Sequence, residues 1–190
     1  MQSTTMMLDF VFVFVFSIVV ASSEGDWFMT TDSTEASLAV RNSGYVLDAI
    51  NYTGYIFLTY QEYTVPLFRM YNAREGRHFY TTNSSENDAV LDSNVGWAPE
   101  GVTGYCLVKA EEESLPFYRF RNDELQNHFY TTSNSEALAK EQNEGYVYEG
   151  TICFLLAQDT GTELPLLRLF GTCPSGGDAN GAYFLHVMLL

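Results

Sequence analysis

The sequence has few basic residues and few cysteines. Its 190 residues include 9 lysines and arginines against 24 aspartates and glutamates, a net charge of -15 at pH 7. Such a charge repels a polyanion, so we expect no nucleic-acid binding. Three cysteines are too few for a disulfide scaffold, and at least one of them stays free or pairs with another chain.

The signatures of hydrolytic chemistry are missing as well. The chain has three histidines, no G-x-S-x-G elbow and no D-x-D-x-D-G calcium loop. Its acidic residues cluster in loops such as 111–113 and 141–144, at changing positions, and not as a pair suited to glycoside hydrolysis. We therefore predict a protein that is not an enzyme and has no metal or cofactor.

What the chain does have is apolar and aromatic residues. Hydrophobic residues make up 46% of the sequence, aromatic residues 15% and charged residues 17%. This composition excludes a disordered chain, collagen and a coiled coil. The length allows one domain of about 150 residues with a buried core.

An almost unbroken apolar run near the N-terminus covers residues 10–21 (FVFVFVFSIVVA) and is followed by small residues. Its length suits the core of a signal peptide and is too short to span a membrane. The residues before it depart from the usual pattern, because they include Asp9 and no lysine or arginine. We predict a signal peptide over 1–21, cleaved between Ala21 and Glu24, and a secreted chain; a buried β-strand is the alternative reading of the run.

Secretion agrees with two N-glycosylation sequons. They begin at Asn51 and Asn83. We predict that both asparagines are glycosylated.

A motif of about 50 residues occurs three times. Each copy has a phenylalanine that opens an F-x-T-T segment, followed by a glutamate, a glycine, a proline and an arginine at matching positions. These residues are Phe28, Phe79 and Phe129; Glu35, Glu86 and Glu136; Gly44, Gly96 and Gly145; Pro66, Pro116 and Pro165; Arg69, Arg119 and Arg168. So many agreements at one spacing indicate three tandem copies of one unit.

Each unit has the same predicted elements. A short aromatic strand is followed by an N-cap residue (Asp32, Asn83 or Ser133) and, three residues later, by a glutamate that can bond back to the N-cap amide. The helix then ends at a glycine. A strand, a glycine bend, a second strand and a strand opened by proline complete the unit, so we expect about four strands per unit and about twelve in all.

Three four-stranded units around a threefold axis are what a β-trefoil requires. We therefore predict an all-β fold with short helices, a β-trefoil with repeats 26–75, 76–125 and 126–170 in a single domain over 22–190. Residues 171–190 form an extension that contains a glycine-rich loop. The first strand of the domain is expected to pair with the last one, which removes a free sheet edge.

The motifs P-L-F-R-M-Y-N (66–72) with H-F-Y-T-T (78–82), and P-F-Y-R (116–119) with H-F-Y-T-T (128–132), resemble a family of uncharacterised secreted repeat domains. Glu100-Gly101 and Glu149-Gly150 match the last element of that family's unit. The resemblance covers about residues 26–170 and implies a β-trefoil-like module with a suspected role in glycan or surface binding. The first unit departs from the pattern at Trp27 and Met29, and the closing motif departs at Leu167 and Gly171.

If ligand binding follows the repeat, the binding residues should recur with it. The hairpin between the proline strand and the His-Phe-Tyr strand carries two such sets: Arg69, Asn72, His78 and Tyr80; Arg119, Asn122, His128 and Tyr130. Each type also has a structural explanation. Arginine can stack on aromatic rings, asparagine can bond a turn, and histidine can bond a turn carbonyl.

Abundant tyrosine, asparagine and arginine on a secreted scaffold favour a lectin-like, carbohydrate-binding module whose partner is a glycan or another extracellular molecule. A protein-interaction or inhibitor module, acting through loops 61–65 or 171–181, and a structural matrix component are the alternatives. We expect a monomer without a membrane span. If a disulfide forms, we expect it between Cys153 and Cys173, which lie at the open end of the last hairpin, with Cys106 apart.

Overall fold

The computed structural model describes residues 25–93 and 95–172. The predicted signal peptide, Cys173 and the extension beyond residue 172 lie outside the described residues, and the side chain of Asn51 is not described either. The elements follow one another as β1 (Gly25–Thr30), α1 (Ser33–Ser43), β2 (Tyr45–Phe57), β3 (Thr64–Asn72), β4 (Arg77–Thr81), α2 (Ser84–Asp92), β5 (Trp97–Leu107), β6 (Ser114–Asn122), β7 (Asn127–Thr131), α3 (Asn134–Asn143), β8 (Val147–Leu156) and β9 (Glu163–Thr172).

The fold is mostly β, with three short helices, as predicted. The strands form one nine-stranded antiparallel sheet that divides into three three-stranded sets. β9 lies between β1 and β2, β3 between β4 and β5, and β6 between β7 and β8. The central strands β3 and β6 come from the preceding sequence repeat, and β9 of the last repeat takes the central place in the set of the first, so the three repeats interlock.

The long strands β2, β5 and β8 also pair with one another, each pair through one residue couple. Where the sequence predicted two strands around a glycine bend, the structure has one continuous strand with a register shift. Gly101 and Gly150 absorb the irregularity with φ of 96° and 136°, a left-handed conformation that glycine adopts without a Cβ clash. The described residues therefore contain three strands per unit and not four.

The main core consists of three rows of buried side chains, each row holding the same position of the three units. The rows are Met29, Tyr80 and Tyr130; Ile56, Cys106 and Leu155; and Leu67, Phe117 and Leu166. The Tyr80 hydroxyl donates to Met29 O (2.9 Å) and accepts from Met29 N (2.7 Å), so a buried phenol bonds the neighbouring strand at both backbone groups. Because burial opposes ionisation, the pKa of Tyr80 lies well above its ordinary value.

The N-caps are where the sequence placed them. The side chains of Asp32, Asn83 and Ser133 accept backbone hydrogen bonds from the first turns of α1, α2 and α3. The glycine stop is confirmed only for α1, where Gly44 has a φ of 72°. α2 and α3 end before their glycines, at Asp92 and Asn143.

The disulfide prediction was wrong. Cys153 is bonded to Cys106, with the Cα atoms 6.0 Å apart, and both residues are buried in the core between β5 and β8. Cys106 belongs to the second unit and Cys153 to the third, but the two residues are close in space because the long strands of all the units meet in the core.

Candidate functional site

Each unit junction contains an arginine clamped between two carboxylates. Arg69 on β3 makes a bidentate pair with Glu35 on α1 (3.0 and 2.8 Å) and a third ion pair with Glu100 on β5 (2.9 Å). Arg119 repeats this with Glu86 and Glu149. Arg168 repeats it with Glu136 and Asp48. Each clamp joins elements that are distant in sequence.

The glutamates at the helix starts therefore do not bond back to the N-cap amides. Those amides donate instead to the hydroxyl oxygens of Thr30, Thr81 and Thr131 (3.0 Å each). The same hydroxyls donate to the glutamates. The expected reciprocal capping box is thus replaced by a threonine relay, because the glutamate carboxylate is the partner of the buried arginine.

Arginine stacking on aromatic rings is confirmed. The guanidinium carbons of Arg69, Arg119 and Arg168 lie 5.3, 5.1 and 5.1 Å from the ring centres of Phe28, Phe79 and Phe129. Burial lowers the pKa of Arg69 and Arg119, but their carboxylate partners outweigh it and raise the pKa overall. The guanidinium groups of Arg69 and Arg119 are therefore held charged and bound within the protein.

His78 completes the first clamp. Its Nδ1 lies 2.5 Å from Asp26 Oδ2 and its Nε2 lies 3.3 Å from Glu100 Oε2, so the ring bonds two carboxylates and not the turn carbonyl that the sequence indicated. Burial alone would lower the pKa of His78, but these carboxylates raise it to about 9. The Tyr45 hydroxyl donates to Asp26 Oδ2 (2.5 Å) and completes a buried network.

Asn72 and Asn122 bond turns, which was the structural alternative. Asn72 Oδ1 accepts from Arg74 N and Glu75 N, and Asn72 Nδ2 donates to Val95 O. Asn122 makes the equivalent bonds, with Nδ2 donating to Glu144 O. Both side chains are buried.

The eight side chains predicted to bind ligand are thus occupied inside the protein. Seven of them are buried, and only His128 is half-buried, with its Nε2 3.5 Å from Glu149 Oε2. An external ligand would have to displace these intramolecular partners before it could bind. Accessible concave surface lies elsewhere in the described residues.

A cavity lies at the corner where β1 and β9 pair, and we call it the tryptophan cavity. Its volume is about 420 Å³. It is lined by Trp27, Val46, Leu47, Asp48, Ala49, Leu125, Asn127, Lys140, Glu144, Tyr146 and Phe170. This is the corner that departs from the repeat, since Trp27 occupies the position of His78 and His128.

The cavity combines an aromatic wall with polar groups at its rim. The half-buried indole of Trp27 lies 4.8 Å from Phe170 and 4.9 Å from Phe129, measured between ring centres. Lys140 Nζ lies 2.5 Å from Glu144 Oε2, and 4.8 to 5.5 Å from the centres of three aromatic rings. Apolar surface and a few fixed polar groups are what small-molecule sites have in common.

Sequence reasoning missed this cavity and the second carboxylate of each clamp. The motif Glu-Gly at 100 and 149 contained the signal for the carboxylates, but no pattern linked it to an arginine some 30 residues earlier. For the cavity the signal was the departure of Trp27 from the repeat.

The fold and cavity define a β-rich, interlocked scaffold with an accessible aromatic cavity at one corner. A family model described as a domain of unknown function (DUF5648) matches residues 17–156, and the chain belongs to that family. No curated protein and no solved structure matches the chain. No helix in the described ranges is long and apolar enough to cross a membrane.

Proposed function

We propose that this chain is a secreted, non-enzymatic module that binds carbohydrate in the tryptophan cavity. The observation that carries the proposal is the cavity itself. Its volume of about 420 Å³ falls within the range of small-molecule sites, about 300–1,000 Å³. The Trp27 and Phe170 rings offer apolar surface to the C–H groups of a sugar.

The rim of the cavity supplies matching polar groups. A sugar hydroxyl can accept a hydrogen bond from Lys140, whose ammonium group has three N–H donors, and donate one to Glu144. The side chain of Glu144 is 48% exposed, so a ligand reaches it without displacing core contacts. A sugar hydroxyl that both donates to and accepts from the protein regains the hydrogen bonds that it loses when it leaves water.

The scaffold proposed for this site is a β-trefoil-like arrangement of three repeats around a threefold axis. It is supported by the three equivalent strand sets, by the rows of equivalent core residues and by the mutual pairing of β2, β5 and β8. Secretion is supported by the buried disulfide, since disulfides form and persist in oxidising compartments.

A glycan array probed with the secreted chain tests the function. The matched variant is Trp27→His, because histidine occupies the same position in the other two units and keeps an aromatic ring there. We expect binding to a defined set of glycans that is lost in Trp27→His, with an unchanged circular dichroism spectrum. A second variant, Trp97→Phe, leaves Trp27 as the single indole reporter, and its fluorescence should change as ligand is added. Glycan binding that survives in Trp27→His would overturn the proposed site.

A protein-interaction module is the second candidate. It is favoured by Tyr60 and Tyr63, which are 65% and 64% exposed at the loop after β2. Exposed tyrosines are common at the centres of protein interfaces. An array on which the wild-type chain binds no glycan, followed by loss of a purified protein partner in Tyr60→Ser/Tyr63→Ser, would favour this candidate instead.

A further inference from the structure

A second cavity lies between α3 and strands β6 and β8, and we call it the tyrosine cleft. Its volume is about 360 Å³. Strands β6 and β8 contribute Tyr118, Phe120 and Tyr148, and α3 contributes Asn134, Ala137, Leu138 and Glu141. The helix residues are spaced three and four apart, so they share one face of α3. The cleft shares no lining residue with the tryptophan cavity.

Three aromatic rings form the strand side of the cleft. The ring centre of Tyr148 lies 5.3 Å from that of Phe120 and 6.0 Å from that of Tyr118. Tyr148 is 46% exposed, while Phe120 is buried and forms the floor. The Tyr118 hydroxyl donates to Asn134 Oδ1 (2.6 Å), which fixes that ring against the helix.

Glu141 provides an exposed carboxylate at the rim. Within the described residues it has no hydrogen bond or ion pair, unlike the carboxylates of the clamps. A carboxylate beside aromatic faces favours a cation, since the ring faces are electron-rich and the carboxylate is negative. The net charge of -15 acts in the same direction by attracting cations to the protein as a whole.

Elsewhere in the protein, an ammonium group is already held by aromatic rings and a glutamate. In the tryptophan cavity, the ammonium group of Lys140 lies near the rings of Trp27, Phe129 and Tyr146 and is paired with Glu144. That site has three aromatic rings, one glutamate and a bound ammonium group. The tyrosine cleft has three aromatic rings and one glutamate, and none of its lining residues is a lysine or an arginine.

The components of the cleft are specific to the third unit. The positions of Tyr148 and Glu141 are occupied by Leu47 and Val40 in the first unit and by Pro99 and Leu91 in the second. The fold therefore does not need a tyrosine or a glutamate at these positions. Side chains that the scaffold does not require, gathered around one cavity, are those expected at a ligand site.

We propose that the tyrosine cleft binds a small organic cation, a quaternary or primary ammonium ion on a short apolar body. The ammonium group contacts Tyr118 and Tyr148 and faces the carboxylate of Glu141. This site does not depend on carbohydrate binding in the tryptophan cavity, because the two cavities use different residues.

The test uses choline as the probe and 3,3-dimethyl-1-butanol, its uncharged counterpart of nearly the same shape, as the ligand control. Binding to the full secreted chain is measured by NMR shift changes of backbone amides around 134–148. We expect choline to bind about tenfold more tightly than the alcohol, because only the cation gains from the rings and the carboxylate.

Two protein variants complete the design. Glu141→Gln keeps the shape of the side chain and should weaken choline binding about fivefold, while leaving the alcohol unaffected. Glu112→Gln removes another exposed charge, from the loop between β5 and β6, and should change neither affinity. Equal affinity for choline and the alcohol, equal weakening by both glutamine variants, or no shift changes at the cleft with either probe would overturn the proposal.

Discussion

Cys153 is bonded to Cys106 at a point where the other two units bring a glycine against an aliphatic side chain. Gly54 packs against Leu155 and Gly104 against Ile56, so closely that an added Cβ would lie 2.9 Å from the neighbouring side chain. The disulfide thus stands at the third of three equivalent close approaches in the core.

The first prediction concerns this disulfide. The residues it joins are 47 apart in sequence, and closing a loop of that length in the unfolded chain is worth about 4 kcal/mol on the chain-entropy model. We expect Cys106→Ser/Cys153→Ser to lower the free energy of unfolding by up to about that amount, measured by urea denaturation.

Non-reducing peptide mapping provides the direct check on the connectivity. We expect a linked pair of peptides containing Cys106 and Cys153, and one titratable thiol per chain in denaturant. A peptide linking Cys153 to Cys173 would contradict the structure.

The second prediction concerns the arginine clamps. The side chain of Arg168 is 1% exposed and holds Glu136 and Asp48. Replacing it by methionine leaves two carboxylates without their buried partner, at a cost of about 3–5 kcal/mol in unfolding free energy.

Arg121 supplies the matched control. It also pairs with a carboxylate, that of Asp123, but its side chain is 49% exposed. We expect Arg121→Met to cost less than about 1 kcal/mol. Similar losses in the two variants, compared by thermal and urea unfolding, would show that the clamps do not stabilise the fold.

The third prediction concerns pH. The pKa of His78 is raised to about 9 in the folded protein, against an ordinary value of 6.5. A raised folded pKa means that the protonated ring stabilises the fold fully below pH 6.5, and that this stabilisation is lost as the pH rises towards 9. The loss is on the order of 3 kcal/mol.

Unfolding measured from pH 6 to pH 10 checks this prediction. In His78→Gln the decline between pH 6.5 and 9 should be largely absent, because glutamine bonds the same region but does not titrate. A decline of the same size in the variant would assign the pH dependence to another group.

The fourth prediction concerns Asn83, whose side chain can cap α2 through Oδ1 and carry a glycan on Nδ2. Its Oδ1 caps α2 by accepting from Ser85 N and Glu86 N, while its Nδ2 has no partner in the described part of the chain. Because N-glycosylation uses Nδ2, a glycan at this exposed sequon leaves the cap intact.

Expression in a glycosylating secretory host, followed by enzymatic removal of N-glycans, tests this. Asn83→Asp and Ser85→Ala should each remove one glycan and retain the cap, since aspartate already caps α1. Asn83→Ala should remove the glycan and also cost about 1 kcal/mol of stability. A mass that does not respond to Ser85→Ala would mean that the site is not used.

The sequence predicted local structure better than it predicted which side chains contact each other across the repeats. Asp32, Asn83 and Ser133 were recognisable as N-caps because a cap depends on residues within one turn. Arg69 could be placed on an aromatic ring, but its carboxylate Glu100 could not, because the clamp joins strands from different repeats. Cys106 was misassigned for the same reason: in an interlocked fold, distance along the chain is a poor guide to which units meet.

The same interlocking affected the candidate site. The sequence favoured residues that recur, such as Asn72 and His78, whereas in this structure the recurring polar residues hold the units together. The cavities lie where the repeat is broken, at Trp27 and Tyr148. Repetition here marks the scaffold, and exceptions to it mark the accessible surface.

The pairing of β1 with β9 makes the domain suitable for circular permutation. Gly25 lies opposite Thr172, so the two ends of the described domain are neighbours in one sheet. A circular permutant that joins these ends by a short linker and opens in the exposed loop at 109–113 keeps every strand pairing of the fold. We therefore expect this permutant to fold, which would show that the architecture does not depend on which unit comes first in the chain.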